Sequence, residues 1–127
     1  SLSKLERHYA IAQGVVQLAG APSVVCAAPP TNIDDPGSLP RAQDVVGYLI
    51  DPGQGWLFHT GTWHALDRCV LAPPGATFMI INVMPNPTQV VDFATGKSNR
   101  HADLDVTPKP DSLPWPDVER CQFRLRM

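Results

Sequence analysis

The chain has 127 residues, a formal net charge of −2 and a pI near 6.0, and 43% of its residues are hydrophobic. This length and composition fit one globular domain that can bury a core, so we expect a single domain over residues 1–127. Because the chain lacks excess basic charge, an apolar run near the roughly 20 residues that span a bilayer, and a signal-peptide pattern, we expect a cytoplasmic protein that binds neither nucleic acid nor membranes.

Short apolar segments separated by turn residues predict an all-β fold. Strands are expected at residues 4–9, 13–18, 23–28, 45–50, 56–59, 63–66, 76–83 and 90–93. Residues 67–72 either continue the strand that begins at Trp63 or pair with it. The fourteen prolines disfavour long helices, because proline cannot continue a helical hydrogen-bond ladder. Many short strands with closely spaced turns are typical of a β-sandwich or barrel.

Composition places two later segments in this fold. Residues 76–83, ATFMIINV, form the most apolar segment, which we expect at the centre of a sheet. From Lys97 onward the chain is polar and rich in proline, so we expect it to wrap around the barrel. An additional edge strand is expected at residues 118–125.

The first predicted strand carries an alternating pair of polar side chains. Glu6 and His8 fall on one face, about 7 Å apart at their Cα atoms, because side chains alternate along a strand. The opposite face carries Leu5, Arg7 and Tyr9. One face of this strand therefore combines a carboxylate with an imidazole, which together can transfer protons or bind a metal.

The segment GQGWLFHTGTWHAL, residues 53–66, carries the second polar feature. Turns at residues 51–53 and 60–61 frame a short aromatic strand and place His64 at the head of the next strand. Gln13 follows the turn after the first strand and can lean toward the same interior. We predict that the two regions face each other across a small barrel and build one site.

The order Glu6-x-His8-x4-Gln13, followed by a distant histidine, resembles the cupin pattern, in which such side chains surround one divalent metal or small substrate. A closer resemblance combines LERH, Gln13, the stretch 16–22, the loop 29–39 and the motifs PGQG and GTWHAL. Over residues 4–82 the chain is similar to the bacterial ureidoglycolate lyase family. The resemblance implies a cupin-like double-stranded β-helix (a jelly-roll barrel) and a homodimer.

The resemblance also implies a lyase that converts ureidoglycolate, or a similar small carboxylated carbinolamine, to glyoxylate and urea in allantoin catabolism. His64 is the expected base, because histidine titrates near neutral pH. Glu6 could orient His8 or act as the second proton carrier, and His8 completes the catalytic set. Where the family often has a second histidine after Trp-His, this chain has Ala65, which leaves the substrate open.

The remaining roles concern substrate and metal. Gln13, Arg7 and Trp63 are candidates for substrate binding, although a regular strand turns Arg7 to the opposite face and Trp63 also fits the core. A divalent metal of unspecified identity could be held by His8, Gln13 and His64. Gln13 is a poorer metal ligand than a carboxylate.

Other interpretations fit the same residues. Glu6 and His8 also suit an exposed polar strand face, and His64 suits a hydrogen-bonded core histidine. Another metal-dependent cupin enzyme, an isomerase or dioxygenase acting on a small acid, would use a similar set. A non-catalytic cupin that binds a metabolite is the alternative outside enzymes.

Overall fold

The computed structural model describes residues 3–101 and 112–113, and the predicted all-β fold is confirmed. The strands are β1 (Lys4–His8), β2 (Gln13–Gly20), β3 (Ser23–Ala28), β4 (Val46–Ile50), β5 (Gly55–Phe58), β6 (Trp63–Ala65), β7 (Cys69–Val70), β8 (Ala76–Ile81), β9 (Thr88–Asp92), β10 (Lys97–His101) and β11 (Ser112–Leu113). A short 3-10 helix lies at Ala42–Asp44. None of the described residues forms a helix long and apolar enough to cross a membrane.

The strands form two antiparallel sheets, consistent with a cupin-like jelly roll. The large sheet has the order β11-β10-β9-β1-β6-β3-β4, with β7 also paired to β3, and the small sheet has the order β5-β2-β8. An apolar cluster from both sheets fills the space between them. Its buried members are Val15, Val25, Ala27, Ile50 and Phe58, with Trp56 and Phe78 packed against them.

Strand β1 lies inside the large sheet, between β9 and β6. Its Glu6 is the direct partner of His64 on β6, and His8 is the partner of Thr88 on β9. Directly paired residues project from the same face of a sheet, so these four side chains share one face. That face turns toward the small sheet, because the Phe58 ring of β5 stacks on His64. We call it the inner face.

The outer face of the large sheet is covered by the loop 29–45. The apolar core on this face contains Leu5, Cys26, Ala28, Trp63, Ala65, Val91 and Phe93. The loop residues Leu39 and Val45 pack against this core. Arg7 anchors the loop through hydrogen bonds to the Thr31 hydroxyl and to the carbonyls of Asn32 and Asp35. One side of the sheet therefore carries a covered core, while the other side carries the polar side chains.

A glycine turn fixes where β6 begins, and with it the position of His64. Gly61 has φ +81°, a backbone conformation that side chains disfavour, and a Cβ there would lie 3.4 Å from the Ile33 side chain. The Gly61 N–H donates to the His8 carbonyl at 2.9 Å. This hydrogen bond ties the start of β6 to the end of β1, in the register that places His64 opposite Glu6.

Three predictions about later segments are wrong. Within residues 67–72 only Cys69–Val70 form a strand, β7, which pairs with β3 and neither continues nor pairs with β6. Strand β8 lies at the edge of the small sheet, and its Met79, Ile80 and Ile81 are exposed. Apolar composition alone does not determine whether a neighbouring strand covers a segment. Residues 97–101, expected to begin a wrapping tail, form β10, because β9 supplies a complete ladder of backbone partners. The edge strand expected at 118–125 falls outside the described residues.

Candidate active site

The structure brings three predicted site residues, Glu6, His8 and His64, together on the inner face. Nε2 of His64 lies 3.3 Å from Oε1 of Glu6, and Nε2 of His8 lies 3.9 Å from the same oxygen. The two imidazole centroids are 5.0 Å apart. All three residues are buried, with exposed fractions of 7%, 2% and 1%. Neither an exposed strand face nor an isolated core histidine describes this arrangement.

Hydrogen bonds at the far side of each imidazole assign its tautomer. The Thr88 hydroxyl donates its only proton to the Asn86 carbonyl at 2.9 Å, so it accepts from Nδ1–H of His8, also at 2.9 Å. Nδ1 of His64 lies 3.0 Å from the Thr62 carbonyl, which can only accept. In their neutral forms, both rings therefore carry the proton on Nδ1 and present a bare Nε2 lone pair toward Glu6.

The cluster consists of acceptors that have no donor. Glu6 Oε2, His8 Nε2 and His64 Nε2 are buried and have no hydrogen-bond partner among the described residues. Burial lowers the pKa of His8, and the neighbouring His64 lowers it further, whereas Glu6 and then Gln13 raise it. Buried acceptors without donors are costly. The arrangement therefore favours a hydrogen-bond donor from a bound molecule or a metal cation between these acceptors, whereas burial disfavours protonation of His8.

The Phe58 ring holds His64 in place and borders a cavity. The two rings are stacked, with centroids 4.1 Å apart and planes inclined by 9°. A cavity of about 250 Å³ between the sheets is lined by Phe58, by Thr62, and by Ala27, the cross-strand partner of His64. Ligand pockets commonly occupy roughly 300–1,000 Å³, so this cavity suits a small metabolite.

Gln13 also lies in the interior, as the sequence predicted. It begins β2, is 4% exposed and pairs with Phe58 across the small sheet. Its side chain is close enough to His8 to act on the pKa of that imidazole. Gln13 can therefore contribute an amide oxygen or N–H group beside the three-residue cluster.

Two predicted substrate-binding residues, Arg7 and Trp63, lie on the outer face instead. Arg7 is fully buried there, donates to Gln89 Oε1 at 2.8 and 3.0 Å, and lies 4.7 Å above the Trp63 ring. Trp63 is fully buried and donates its indole N–H to Thr31. Strand alternation turns both side chains away from Glu6 and His64, so their contacts stabilise the covered core and its loop.

Arg68 is a functional candidate that the sequence analysis missed. It lies between β6 and β7, half-buried, with its guanidinium carbon 5.6 Å from the Phe78 ring centroid. Burial lowers the pKa of Arg68, while the carboxylates of Glu6 and Asp67 raise it. Residues 67–72 were expected to be strand, and no motif in the sequence marks a cation there. Only the fold brings Arg68 near enough to Glu6 for that carboxylate to raise its pKa.

The chain matches a known protein family. The family model described as ureidoglycolate lyase matches residues 1–101 of the 127. The matched range includes Glu6, His8, Gln13, His64 and Arg68. No curated protein and no solved structure matches the chain.

Proposed function

The chain belongs to the ureidoglycolate lyase family, and from that premise we propose that it splits ureidoglycolate into glyoxylate and urea by acid/base elimination. The observation that carries the proposal is the buried convergence of Glu6, His8 and His64, in which neither imidazole Nε2 atom has a hydrogen-bond partner within the described part of the chain. Clusters of buried titratable groups are typical of catalytic sites, and the Phe58 ring that stacks on His64 lines a cavity of metabolite size.

The reaction defines which groups the site needs. Ureidoglycolate carries a hydroxyl, a urea nitrogen and a carboxylate on one carbon. Cleavage removes the hydroxyl proton, forms the C=O double bond and breaks the C–N bond, whose electron pair leaves with the nitrogen. That nitrogen then takes up a proton and departs as urea. Each assisted proton transfer is typically worth about 10²–10⁴-fold in rate.

His64 is the base in this proposal. The Thr62 carbonyl holds its Nδ1–H, so Nε2 is free to accept the hydroxyl proton. The imidazolium that forms lies 3.3 Å from Glu6, whose negative charge stabilises it. The same Nε2–H can then protonate the departing nitrogen, which returns His64 to its starting state.

His8 orients and tunes this pair. Thr88 fixes its ring, and its lowered pKa favours the neutral form at pH 7. Because His8 is neutral, it does not repel the positive charge that His64 acquires when it accepts the hydroxyl proton. Gln13, on the small sheet, is placed to bind a polar group of the substrate.

A divalent metal also fits the residues present. Glu6, His8 and His64 offer ligand atoms within 4.8 Å of one another, and the unpartnered acceptors among them lack the positive partner that a cation would supply. Gln13 would be a fourth, weaker ligand. A metal bound there would supply Lewis-acid polarisation of a substrate oxygen. A ligating Nε2 cannot also accept a proton, so His64 serves as the base only while that nitrogen is free.

A second candidate function rests on the same ligand set. Two histidines and one carboxylate are the ligands of many non-haem iron oxygenases. A cupin dioxygenase acting on a small acid would therefore use Glu6, His8 and His64 as iron ligands. Iron that copurifies with the protein, together with oxygen consumption, would favour this function over elimination.

Urea release from ureidoglycolate tests the first proposal. We expect the purified full chain to release urea above the spontaneous rate, in an assay run with and without added divalent metals. No release in either arm would contradict it. The homodimer implied by the family remains a prediction, which sedimentation velocity would test.

A further inference from the structure

The interior between the sheets holds a cation whose charge is not neutralised by an ion pair. Arg68 forms one hydrogen bond within the described part of the chain, from Nη1 to the Leu66 carbonyl at 3.3 Å. Its Nε is buried and has no hydrogen-bond partner among residues 3–101 and 112–113. A guanidinium offers five N–H donors in a fixed fork, so most of its binding capacity is unused.

Arg68 and Glu6 carry opposite charges in the same interior. The charge of Glu6 acts on Arg68, yet no ion pair between them is found among the described residues. A half-buried guanidinium and a buried carboxylate that do not pair could each bind a different end of one small molecule. Such a molecule would bring an anionic group to Arg68 and a proton-donating group to the cluster.

Aromatic rings border the guanidinium and support this arrangement. Arg68 lies over the Phe78 ring, and the Trp56 ring packs edge-on against Phe78, with centroids 6.3 Å apart. The Trp56 indole N–H is also buried without a partner among the residues that the structure describes, and Trp56 lines the cavity. The unused donors of Arg68 and Trp56 therefore lie near Phe78. The unused acceptors lie on Glu6, His8 and His64.

We propose that Arg68 binds the carboxylate of the substrate and directs the hydroxyl-bearing carbon toward His64. This inference rests on the proposed function, because it assigns a residue to one end of the same substrate. It replaces Arg7, whose guanidinium is engaged on the outer face. The ligand class is a small α-substituted carboxylate, and a bidentate guanidinium–carboxylate contact would fix its orientation.

Arg68→Gln in the full chain tests the proposal, with Arg41→Gln as the matched control, since Arg41 is exposed and pairs with Asp44 on the surface. Calorimetry measures the Kd for glyoxylate and for its uncharged amide, and steady-state kinetics gives KM and kcat for ureidoglycolate. Loss of a charged hydrogen bond predicts a 10- to 100-fold weaker Kd for glyoxylate in Arg68→Gln. KM should rise more than kcat falls, the weak binding of the amide should not change, and Arg41→Gln should resemble the wild type.

Each result distinguishes this inference from the proposed function. If the wild type releases urea and Arg68→Gln shows unchanged glyoxylate Kd and unchanged KM, the role of Arg68 is overturned and the lyase function stands. Arg68-dependent glyoxylate binding without any urea release would support the role and contradict the lyase. If Arg68→Gln does not fold, Arg68→Lys is assessed in the same way. A lysine keeps the charge but loses the planar fork, so binding should weaken by an intermediate factor, and wild-type affinity would overturn the proposal.

Discussion

Glu6 and His64 are direct cross-strand partners on β1 and β6, and their side chains meet with Oε1 and Nε2 3.3 Å apart. Both side chains are buried. The pairing is set by the sheet register and by the Gly61 turn, so it belongs to the backbone framework. A carboxylate–imidazole pair built into rigid strands is positioned before any substrate arrives, which is what efficient proton transfer requires.

Glu6→Gln should separate activity from stability. The amide can donate to a histidine Nε2 that has no donor, so we expect the melting temperature to stay the same or rise. Urea release should fall by about 10²–10⁴-fold, because the charge that stabilises the His64 imidazolium is lost. Asp34→Asn removes one negative charge from an exposed loop position and is the control. A large loss of stability in Glu6→Gln would contradict the assignment of unpartnered acceptors.

Divalent metals should stabilise the fold by binding the cluster. A ligand that binds only the native state at 100 times its Kd adds about 2.7 kcal/mol of stability, which thermal melts detect easily. We expect added Zn²⁺, Mn²⁺ or Co²⁺ to raise the melting temperature of the wild type but not of His8→Gln. His59→Gln, which changes an exposed histidine, should keep the shift. Equal shifts in all three proteins would place the metal elsewhere.

Metal-free protein should lose stability as the pH falls below about 6.5. The unfolded chain protonates His8 near its ordinary pKa of 6.5, whereas the lowered folded-state pKa delays protonation of the native protein. Between these two pKa values the unfolded state binds more protons, so the free energy of unfolding decreases with falling pH. The loss is absent above the unfolded value and complete below the folded one.

Guanidinium unfolding at pH 8 and pH 5.5 measures this effect. His8→Gln lacks the titrating imidazole and should show a smaller decrease than the wild type, with His59→Gln resembling the wild type. If wild type and His8→Gln lose the same stability over this range, His8 does not carry the pH dependence.

Arg7→Lys should destabilise the protein without changing the site. The substitution removes the guanidinium donors of the Asn32 and Asp35 carbonyls, and one such loss costs about 1–3 kcal/mol. Gln89 Oε1 loses the two Arg7 bonds but keeps the Tyr9 hydroxyl as a donor. We expect the free energy of unfolding to fall by about 3 kcal/mol, against less than about 1 kcal/mol for the exposed Arg41→Lys. At temperatures where the variant is folded, its KM should match the wild type. An increased KM would instead indicate that Arg7 takes part in substrate binding.

Strand periodicity predicted the parts of the site that lie on one strand. Alternation along β1 correctly placed Glu6 and His8 together and turned Arg7 away, because a period of two leaves no other choice. The contact between Glu6 and His64 depends on which distant strands pair, and periodicity does not encode that pairing. The convergence of His64 with Glu6 and His8 was predicted from the family resemblance and from the turns that contain glycine.

Other features depend on neighbours that a single sequence does not name. β8 is as apolar as a central strand, yet lies at an edge with Met79 and Ile81 exposed. β10 is polar, yet is paired along its whole length with β9. The position of Arg68 depends on the small sheet, whose Phe78 lies beneath its guanidinium. In each case the outcome depends on which strand lies alongside, a property of the tertiary fold.

The rate of urea release from ureidoglycolate by His64→Gln, compared with wild type and with His59→Gln, tests the central claim most directly. His64 supplies the buried Nε2 beside Glu6, whereas His59 is exposed, so the two substitutions are chemically matched and differ only in position. We predict that the rate of urea release falls by about 10²–10⁴-fold in His64→Gln and stays at the wild-type value in His59→Gln. A folded His64→Gln that releases urea at the wild-type rate would contradict the claim.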